Sequence, residues 1–151
     1  MAQTVNLIGQ VEITSGGDVL HDLLRFKPND IPPMCSNKMY RCDLLSGQRG
    51  DVGSTICWNF TNDGKPQASK QIIEAVDEKN HKIVFKVIGG ELVEIYKTFT
   101  IIFHVEEKGG KKFAIYTYAF EKPDEDVPYP TSLMDFMTTI LKEMDENASR
   151  K

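Results

Sequence analysis

Three histidines are the side chains of this sequence best suited to proton transfer near neutral pH: His21, His81 and His104. The pattern of apolar residues predicts that His21 lies on the exposed side of a short helix. It places His81 in a charged turn and His104 on the outward face of a strand. Because a general acid or base must reach the substrate inside its pocket, these positions do not favour catalysis.

Three cysteines, Cys35, Cys42 and Cys57, could in principle act as nucleophiles, bind zinc or form a disulfide. Their number is odd and their spacing is not typical of a zinc site. Strand alternation turns Cys57 outward, next to the inward-facing Ile56 and Trp58. We therefore expect three free thiols, no metal site and no catalytic triad.

A glycine-rich stretch, Ser46–Gly53, is a candidate for phosphate binding, because Gly47, Gly50 and Gly53 accompany Arg49. No lysine-serine or lysine-threonine pair follows, and the next predicted element is a strand and not a helix. A hairpin loop with glycines at positive φ explains the stretch better. The sequence therefore argues against nucleotide binding.

The segment Pro130–Met144 is the only long one with a clear helical period, and it must bury its apolar side against the rest of the chain. Thr131 or Ser132 can cap its start, and Asp135 suits its first turn. Apolar residues recur at spacings of three and four, at Leu133, Met137, Ile140 and Met144, with Met134, Phe136 and Leu141 beside them.

Most of the remaining chain alternates apolar and polar residues, which predicts strands with one buried face. The predicted strands are Val5–Thr14, Tyr40–Leu45, Ser54–Asn62, Gln67–Val76, Lys82–Gly89, Leu92–Glu106 and Lys111–Glu121. A short helix over residues 19–26 and a second helix or turn over residues 30–37 separate the first two strands. The short connections predict an antiparallel sheet in a single α+β domain over residues 1–151.

One face of the predicted sheet is strongly aromatic and carries few polar groups. Its inward residues are Ile56, Trp58, Phe60 and Asn62, then Ile83, Phe85 and Val87, then Phe99, Ile101, Phe103 and Val105, and finally Ala114, Tyr116, Tyr118 and Phe120. Aromatic walls and adaptable methionines are typical of an apolar ligand pocket. The same residues can simply fill a core, and the pattern by itself favours the filled core.

The composition narrows the classes of partner. The chain has 151 residues and a net charge of −4, from 18 basic and 22 acidic residues, and the basic residues do not cluster. This argues against nucleic acid as a partner. No apolar run approaches the ~20 residues of a membrane span, and the N-terminus does not resemble a signal peptide. We expect a cytoplasmic protein.

Several stretches spread over the whole chain resemble the major latex protein family, in particular its kirola-like members. This family is a plant branch of the birch-pollen-allergen, or pathogenesis-related class ten, superfamily. The stretches are Asp51–Ser54 with Trp58-Asn59, Ile73–Glu78, Phe85–Ile88, Tyr96–Phe99 and Tyr118–Val127. The resemblance implies a helix-grip fold, in which a seven-stranded curved antiparallel sheet wraps around a long C-terminal helix with two short helices.

The resemblance also implies a large cavity for hydrophobic or amphipathic small molecules and a role in plant defence or stress responses. It changes the interpretation of the aromatic face from core to cavity wall, with Tyr116, Tyr118 and Asn62 orienting the ligand. No cofactor, metal or catalytic residue is implied. The predicted ligand-binding residues are Phe26, Ile56, Trp58, Phe60, Phe85, Val87, Phe99, Ile101, Phe103, Tyr116, Tyr118, Met134, Met137 and Leu141.

Two other kinds of function follow from the same resemblance. Relatives with ribonuclease activity use a loop lysine and a glutamate before a paired-glycine turn. Here Arg49 is near the first position and Gly89 occupies the second, so RNA cleavage is not expected.

Other relatives are enzymes of alkaloid pathways, which leaves a small-molecule enzyme of plant secondary metabolism as the alternative function. A third hypothesis is that the protein works through its surface and binds a signalling partner once it has bound its ligand.

We expect the protein to be a monomer, with a dimer as the alternative.

Overall fold

The computed structural model describes residues 3–35, 39–62 and 64–148. The predicted turn at residue 63 and the end of the predicted second helix at residue 37 lie outside the described residues. The strands are β1 (Gln3–Ile13), β2 (Met39–Ser46), β3 (Thr55–Asn62), β4 (Lys65–Asp77), β5 (Lys82–Gly90), β6 (Thr98–Lys108) and β7 (Lys111–Lys122). The helices are α1 (Gly17–Arg25), α2 (Glu91–Ile95) and α3 (Thr131–Ala148), with 3₁₀ turns at Pro28–Asp30 and Pro32–Met34.

The seven strands form one antiparallel sheet in the order β1-β7-β6-β5-β4-β3-β2. Strands β2 to β7 follow one another through short connections, so their pairing is local in sequence. Strand β1 instead pairs with the last strand, from Gln3 opposite Lys122 to Ile13 opposite Lys112. The sheet curves around α3, which confirms the predicted α+β class and the helix-grip fold.

Helix α3 lies across the sheet and contacts β1 at one edge and β3 towards the other. Its side chains Leu141 and Met144 are completely buried. Each such side chain contributes roughly 2 kcal/mol when it is removed from water. The helix continues one turn past the predicted end at Met144, to Ala148.

The carboxylate of Asp145 explains this last turn. It accepts hydrogen bonds from the backbone N–H groups of Thr14, at 2.9 Å, and Ser15, at 2.7 Å. The Ser15 hydroxyl donates in return to the backbone carbonyl of Asp145, at 3.2 Å. The C-terminal end of α3 is therefore fixed to the segment that joins β1 to α1.

The predicted strand Leu92–Glu106 is wrong at its start, because residues 91–95 form the short helix α2 and the strand begins at Thr98. Gly90 has φ of 101°, a left-handed conformation that reverses the chain direction. The Glu91 carboxylate then accepts a hydrogen bond from the Ala68 backbone N–H at 2.9 Å. Five residues are too few to reveal a helical period, so these tertiary contacts decide the local structure.

Candidate functional site

A cavity of about 80 Å³ lies between the concave face of the sheet and α3. Strands β2 to β7 contribute one wall and α3 the other, while α1, α2 and the turn at Ile31 complete the lining. The lining residues are Leu24, Ile31, Met39, Trp58, Phe60, Ser69, Gln71, Phe85, Leu92, Ile101, Phe103, Tyr116, Tyr118, Leu133, Phe136, Met137, Ile140, Leu141 and Met144.

The structure places nine of the predicted ligand-binding residues on this wall. They are Trp58, Phe60, Phe85, Ile101, Phe103, Tyr116, Tyr118, Met137 and Leu141. Strand alternation identifies the seven on strands, and the helical period of α3 identifies Met137 and Leu141. Their contact with a ligand stays a prediction.

The other five predicted residues do not line the cavity. Ile56, Val87, Phe99 and Met134 are buried but pack elsewhere in the core. Phe26 is 39% exposed, and its ring lies 4.6 Å from the guanidinium carbon of Arg25. Facing inward is therefore not sufficient: the position along the strand decides whether a side chain meets the cavity or solid core.

Aromatic packing fills one end of the sheet. The Phe99 ring stacks against Phe120 at 5.7 Å between centroids and meets Tyr96 and Tyr118 at 5.4 and 5.1 Å. Such pairs add ~0.5–1.5 kcal/mol each beyond the area they bury. This end is a packed core, as the pattern alone suggested, and the hollow region begins beyond Tyr118.

The cavity is smaller than the large one that the resemblance implied. Two lining residues, Phe60 of the sheet and Phe136 of α3, have ring centroids 5.1 Å apart. Because about 10–15 Å³ of such space holds one water molecule, the cavity has room for only a handful. The space therefore suits a small ligand.

The polar groups that were expected to orient a ligand hold α3 instead. The Tyr118 hydroxyl donates to the Leu133 carbonyl at 3.0 Å, and the Tyr116 hydroxyl is bonded to that of Thr138. The amide of Asn62 donates to the Ser132 hydroxyl at 3.4 Å. Burial, together with neighbouring Tyr116, raises the pKa of Tyr118, so its hydroxyl stays neutral.

Two polar wall residues, Ser69 and Gln71, were missed by the sequence analysis. Both lie on the inward face of β4, are 3% and 7% exposed, and are joined by a hydrogen bond from the Gln71 amide nitrogen to the Ser69 hydroxyl oxygen at 3.0 Å. The period of two residues along β4 does indicate their orientation, because Ser69 and Gln71 alternate in phase with buried Ile73. Polar residues on a strand usually face water, so residue type by itself does not place these two in a wall.

The other lining residues that were not predicted come from the helices, the turns and the edge of the sheet. They are Leu24, Ile31, Met39, Leu92, Leu133, Phe136, Ile140 and Met144. The four on α3 belong to its apolar stripe, which the sequence identified. Which part of that stripe meets the cavity depends on how α3 is rotated against the sheet.

The prediction that His21 is exposed is wrong. The side chain is 4% exposed, neither ring nitrogen has a hydrogen-bond partner among the described residues, and the ring contacts that of His81 at 5.9 Å. Burial lowers the pKa of His21, so the neutral ring is favoured. His104 faces outward as predicted and contacts Glu106 at 3.1 Å. None of the three histidines lines the cavity.

All three cysteines are free thiols, as predicted. Cys35 and Cys42 are buried, and burial raises the pKa of each to about 12. Cys57 is half-buried on the opposite face of β3 from Trp58. In the described part of the chain, no group of three or more metal-ligating side chains could hold an ion.

A curved seven-stranded sheet that grips one long helix over an apolar cavity defines a helix-grip protein. Residues 2–150 match the model of the Pathogenesis-related protein Bet v 1 family, and the chain belongs to this family. No helix within the described ranges has the length and apolar character needed to cross a membrane.

The chain is similar to major latex proteins, which confirms the resemblance seen in the sequence. MLP-like protein 43 of Arabidopsis thaliana is 34% identical, with 97% of each chain covered. MLP-like protein 34 of the same plant is also 34% identical, but the chain spans only 46% of its length. The crystal structure of ginseng major latex-like protein 151 from Panax ginseng superposes with a TM-score of 0.92 at 34% identity, covering 96% and 97% of the two chains.

The fold is shared more widely. Norcoclaurine synthase from Thalictrum flavum, solved with dopamine and hydroxybenzaldehyde, superposes with a TM-score of 0.80, covering 99% of this chain and 88% of the synthase. The sequence identity is 13%, so this likeness concerns the fold alone.

Proposed function

We propose that this chain binds a small hydrophobic molecule in the cavity between the sheet and α3. The observation that carries the proposal is the chemistry of the wall: aliphatic, aromatic and methionine side chains dominate it, and none of its described residues is Asp, Glu, Lys, Arg or His. An apolar wall with few polar groups is typical of sites for apolar ligands. Burying the ligand surface then supplies the affinity, at ~25 cal/mol per Å².

The same wall argues against the alternative, an enzyme of secondary metabolism. General acid or base catalysis needs an ionisable group that reaches the substrate. The two ionisable groups on the wall are the hydroxyls of Tyr116 and Tyr118, and both are bonded to α3. The shared fold of norcoclaurine synthase supplies no such group to this chain, so we propose binding without turnover.

The cellular setting is part of the proposal. The matching family is described as pathogenesis-related, which supports a role in defence or stress responses. A cytoplasmic location is consistent with free thiols in the described part of the chain. A monomer suffices for the role, because one chain supplies every wall of the cavity.

Titration with p-xylene, followed through the fluorescence of Trp58, tests the proposal. Trp58 is the only tryptophan of the sequence and lines the cavity. We expect a saturable change in its emission. Neighbouring isoleucines on β6 provide matched variants, because Ile101 lines the cavity and Ile102 lies on the opposite face of the strand. Ile101→Phe should fill the cavity and weaken binding about tenfold or more, whereas Ile102→Phe should bind as wild type does.

A wild-type protein that shows no saturable response would contradict the proposal. Equal binding by the Ile101→Phe and Ile102→Phe variants would place the p-xylene outside the cavity and would contradict it as well. If binding is observed, native mass spectrometry of protein taken from its own tissue would identify the natural ligand class, because a bound small molecule adds its mass to that of the chain.

A further inference from the structure

Two polar side chains of the cavity wall lie on one strand. Ser69 and Gln71 both belong to β4, and the other polar groups among the described wall residues are the hydroxyls of Tyr116 and Tyr118 and the indole N–H of Trp58. Both tyrosine hydroxyls are bonded to α3 and the indole N–H only donates, so Ser69 and Gln71 are the pair that can both donate to a ligand and accept from it.

The hydrogen bond between them leaves complementary groups free. The Gln71 amide nitrogen donates to the Ser69 oxygen at 3.0 Å, so the hydroxyl proton of Ser69 remains available to a second partner. The Gln71 amide makes this hydrogen bond through its nitrogen, which leaves its carbonyl oxygen as an acceptor. The pair thus offers one donor and one acceptor inside an apolar wall.

Because both side chains line the cavity, these two groups can bond to water or to a ligand inside it. A hydroxyl group on a ligand can satisfy both, because it donates to the Gln71 oxygen and accepts from the Ser69 hydroxyl. A primary amide can do the same with its N–H and its carbonyl.

The wall also limits the charge of the ligand. None of its described residues is ionised near neutral pH, so a carboxylate or ammonium group would lose its hydration without gaining a counter-ion. Aromatic side chains surround the space, among them Trp58, Phe85 and Phe103, and they favour a ring as the body of the ligand.

We infer that Ser69 and Gln71 form a polar subsite that selects a neutral, single-ring ligand carrying one hydroxyl or primary amide group. This inference rests on the proposed function, because it assigns a ligand class to the same cavity. It names two positioning groups on β4 that distinguish the polar end of the ligand from its apolar body.

The test compares p-cresol with p-xylene, which differ by one hydroxyl in place of one methyl group. The measured quantity is the ratio of the p-xylene dissociation constant to that of p-cresol, by calorimetry. We expect this ratio to fall about fivefold to tenfold in the Gln71→Met variant, which has similar length but no amide. The smaller change Ser69→Ala should lower the ratio in the same direction.

Met137→Leu is the control, because it alters an apolar wall residue on α3 and leaves the pair intact. It should change both dissociation constants together and leave the ratio within about twofold. A second comparison tests charge: benzamide should bind at least about 100-fold more tightly than benzoate, which has nearly the same shape.

The outcomes separate this inference from the proposed function. If the variants bind p-xylene but keep the wild-type ratio, the subsite is refuted while cavity binding stands; a pair that only holds a water molecule would give this result. Benzoate binding as tightly as benzamide would refute the selection of neutral ligands. A wild-type protein that does not bind p-xylene would refute the proposed function, and this inference with it.

Discussion

At the scale of single residues, the same chemical group serves different purposes according to what surrounds it. Tyr118 is 1% exposed and its hydroxyl donates to the Leu133 carbonyl in the first part of α3. Ser69 is buried to a similar extent, and its hydroxyl oxygen accepts from the Gln71 amide on the cavity wall. The tyrosine therefore fixes the helix, whereas the serine belongs to the proposed polar subsite.

Tyr118→Phe should lower the free energy of unfolding by about 1 kcal/mol, because one buried hydrogen bond is lost while the ring stays in place. The affinity for p-xylene and p-cresol should not change. Urea unfolding and calorimetry measure the two effects. A variant with wild-type stability and weaker p-cresol binding would show that the Tyr118 hydroxyl contacts the ligand after all.

Cysteine reactivity should follow burial. At neutral pH, Cys57 should react with iodoacetamide at least about tenfold faster than Cys35 or Cys42, because burial raises the pKa of the latter two to about 12 and excludes the reagent. Peptide mass spectrometry of the native protein measures the three rates. In urea the rates should become similar, and a native Cys42 as reactive as Cys57 would contradict the burial.

At the scale of secondary-structure elements, two contacts between elements distant in sequence position the walls of the cavity. Asp145 joins the end of α3 to the β1–α1 segment. The turn at Gly90 and the bond from Ala68 to Glu91 place α2, which supplies Leu92 to the cavity. Both contacts involve polar groups, whose role the apolar periodicity does not reveal.

Asp145→Asn should cost about 2–3 kcal/mol at pH 7, because the backbone N–H groups of Thr14 and Ser15 lose a charged acceptor. Burial alone would raise the pKa of Asp145, but the hydrogen bonds to its carboxylate outweigh burial and lower the pKa. The stabilisation is therefore complete above the unfolded pKa of about 3.9 and is lost as the pH falls through the lower pKa of the folded protein.

Urea unfolding of the wild type and the Asp145→Asn variant, from pH 7 down to about pH 2, measures this effect. The difference in unfolding free energy between the two proteins should be constant above about pH 5 and should shrink below pH 4. A difference that stays the same over the whole range would show that the charge of Asp145 is not what stabilises the contact.

Gly90→Ala should destabilise the protein by about 2–4 kcal/mol, because φ is 101° and an added Cβ would overlap the Ala68 carbonyl oxygen. Gly89→Ala is the control: there an added Cβ would meet only the Lys70 side chain, at 3.2 Å or more. Thermal unfolding compares the two variants. Similar melting temperatures would contradict the role of Gly90 in positioning α2.

At the scale of the whole molecule, the sheet and α3 share a core that is solid at one end and hollow at the other. The aromatic cluster around Phe99 and Phe120 fills the first end. Beyond it, α3 is one wall of the cavity and loses packing partners there. A ligand would restore those contacts, so loading should affect α3 more than the strands at the edge of the sheet.

Hydrogen exchange should show this difference. Saturation with p-xylene should raise amide protection in α3 more than in β1, because Met137, Ile140 and Leu141 gain contacts. The strand β1 contributes no residue to the cavity wall and serves as the internal control. Equal changes in the two elements would indicate uniform stabilisation of a filled core.

The sequence by itself determined the strands, the long helix and the inward faces, because periods of two and 3.6 residues are local properties of the chain. With the family resemblance, it also determined the fold and nine of the lining residues. Local patterns could not show that His21 is buried, that residues 91–95 form a helix, or that Ser69 and Gln71 face inward as a bonded pair. Those features depend on what packs against each residue.

Only the tertiary structure decided where the inward face is core and where it is cavity. Phe99 and Phe103 lie on the same face of β6, four residues apart. Phe99 nevertheless packs into the aromatic cluster, whereas Phe103 lines the cavity. The distance between sheet and helix sets this boundary, and it depends on the curvature of the sheet and the position of α3. The apolar period of Pro130–Met144 therefore identified the helix. The position of that helix against the sheet formed the cavity.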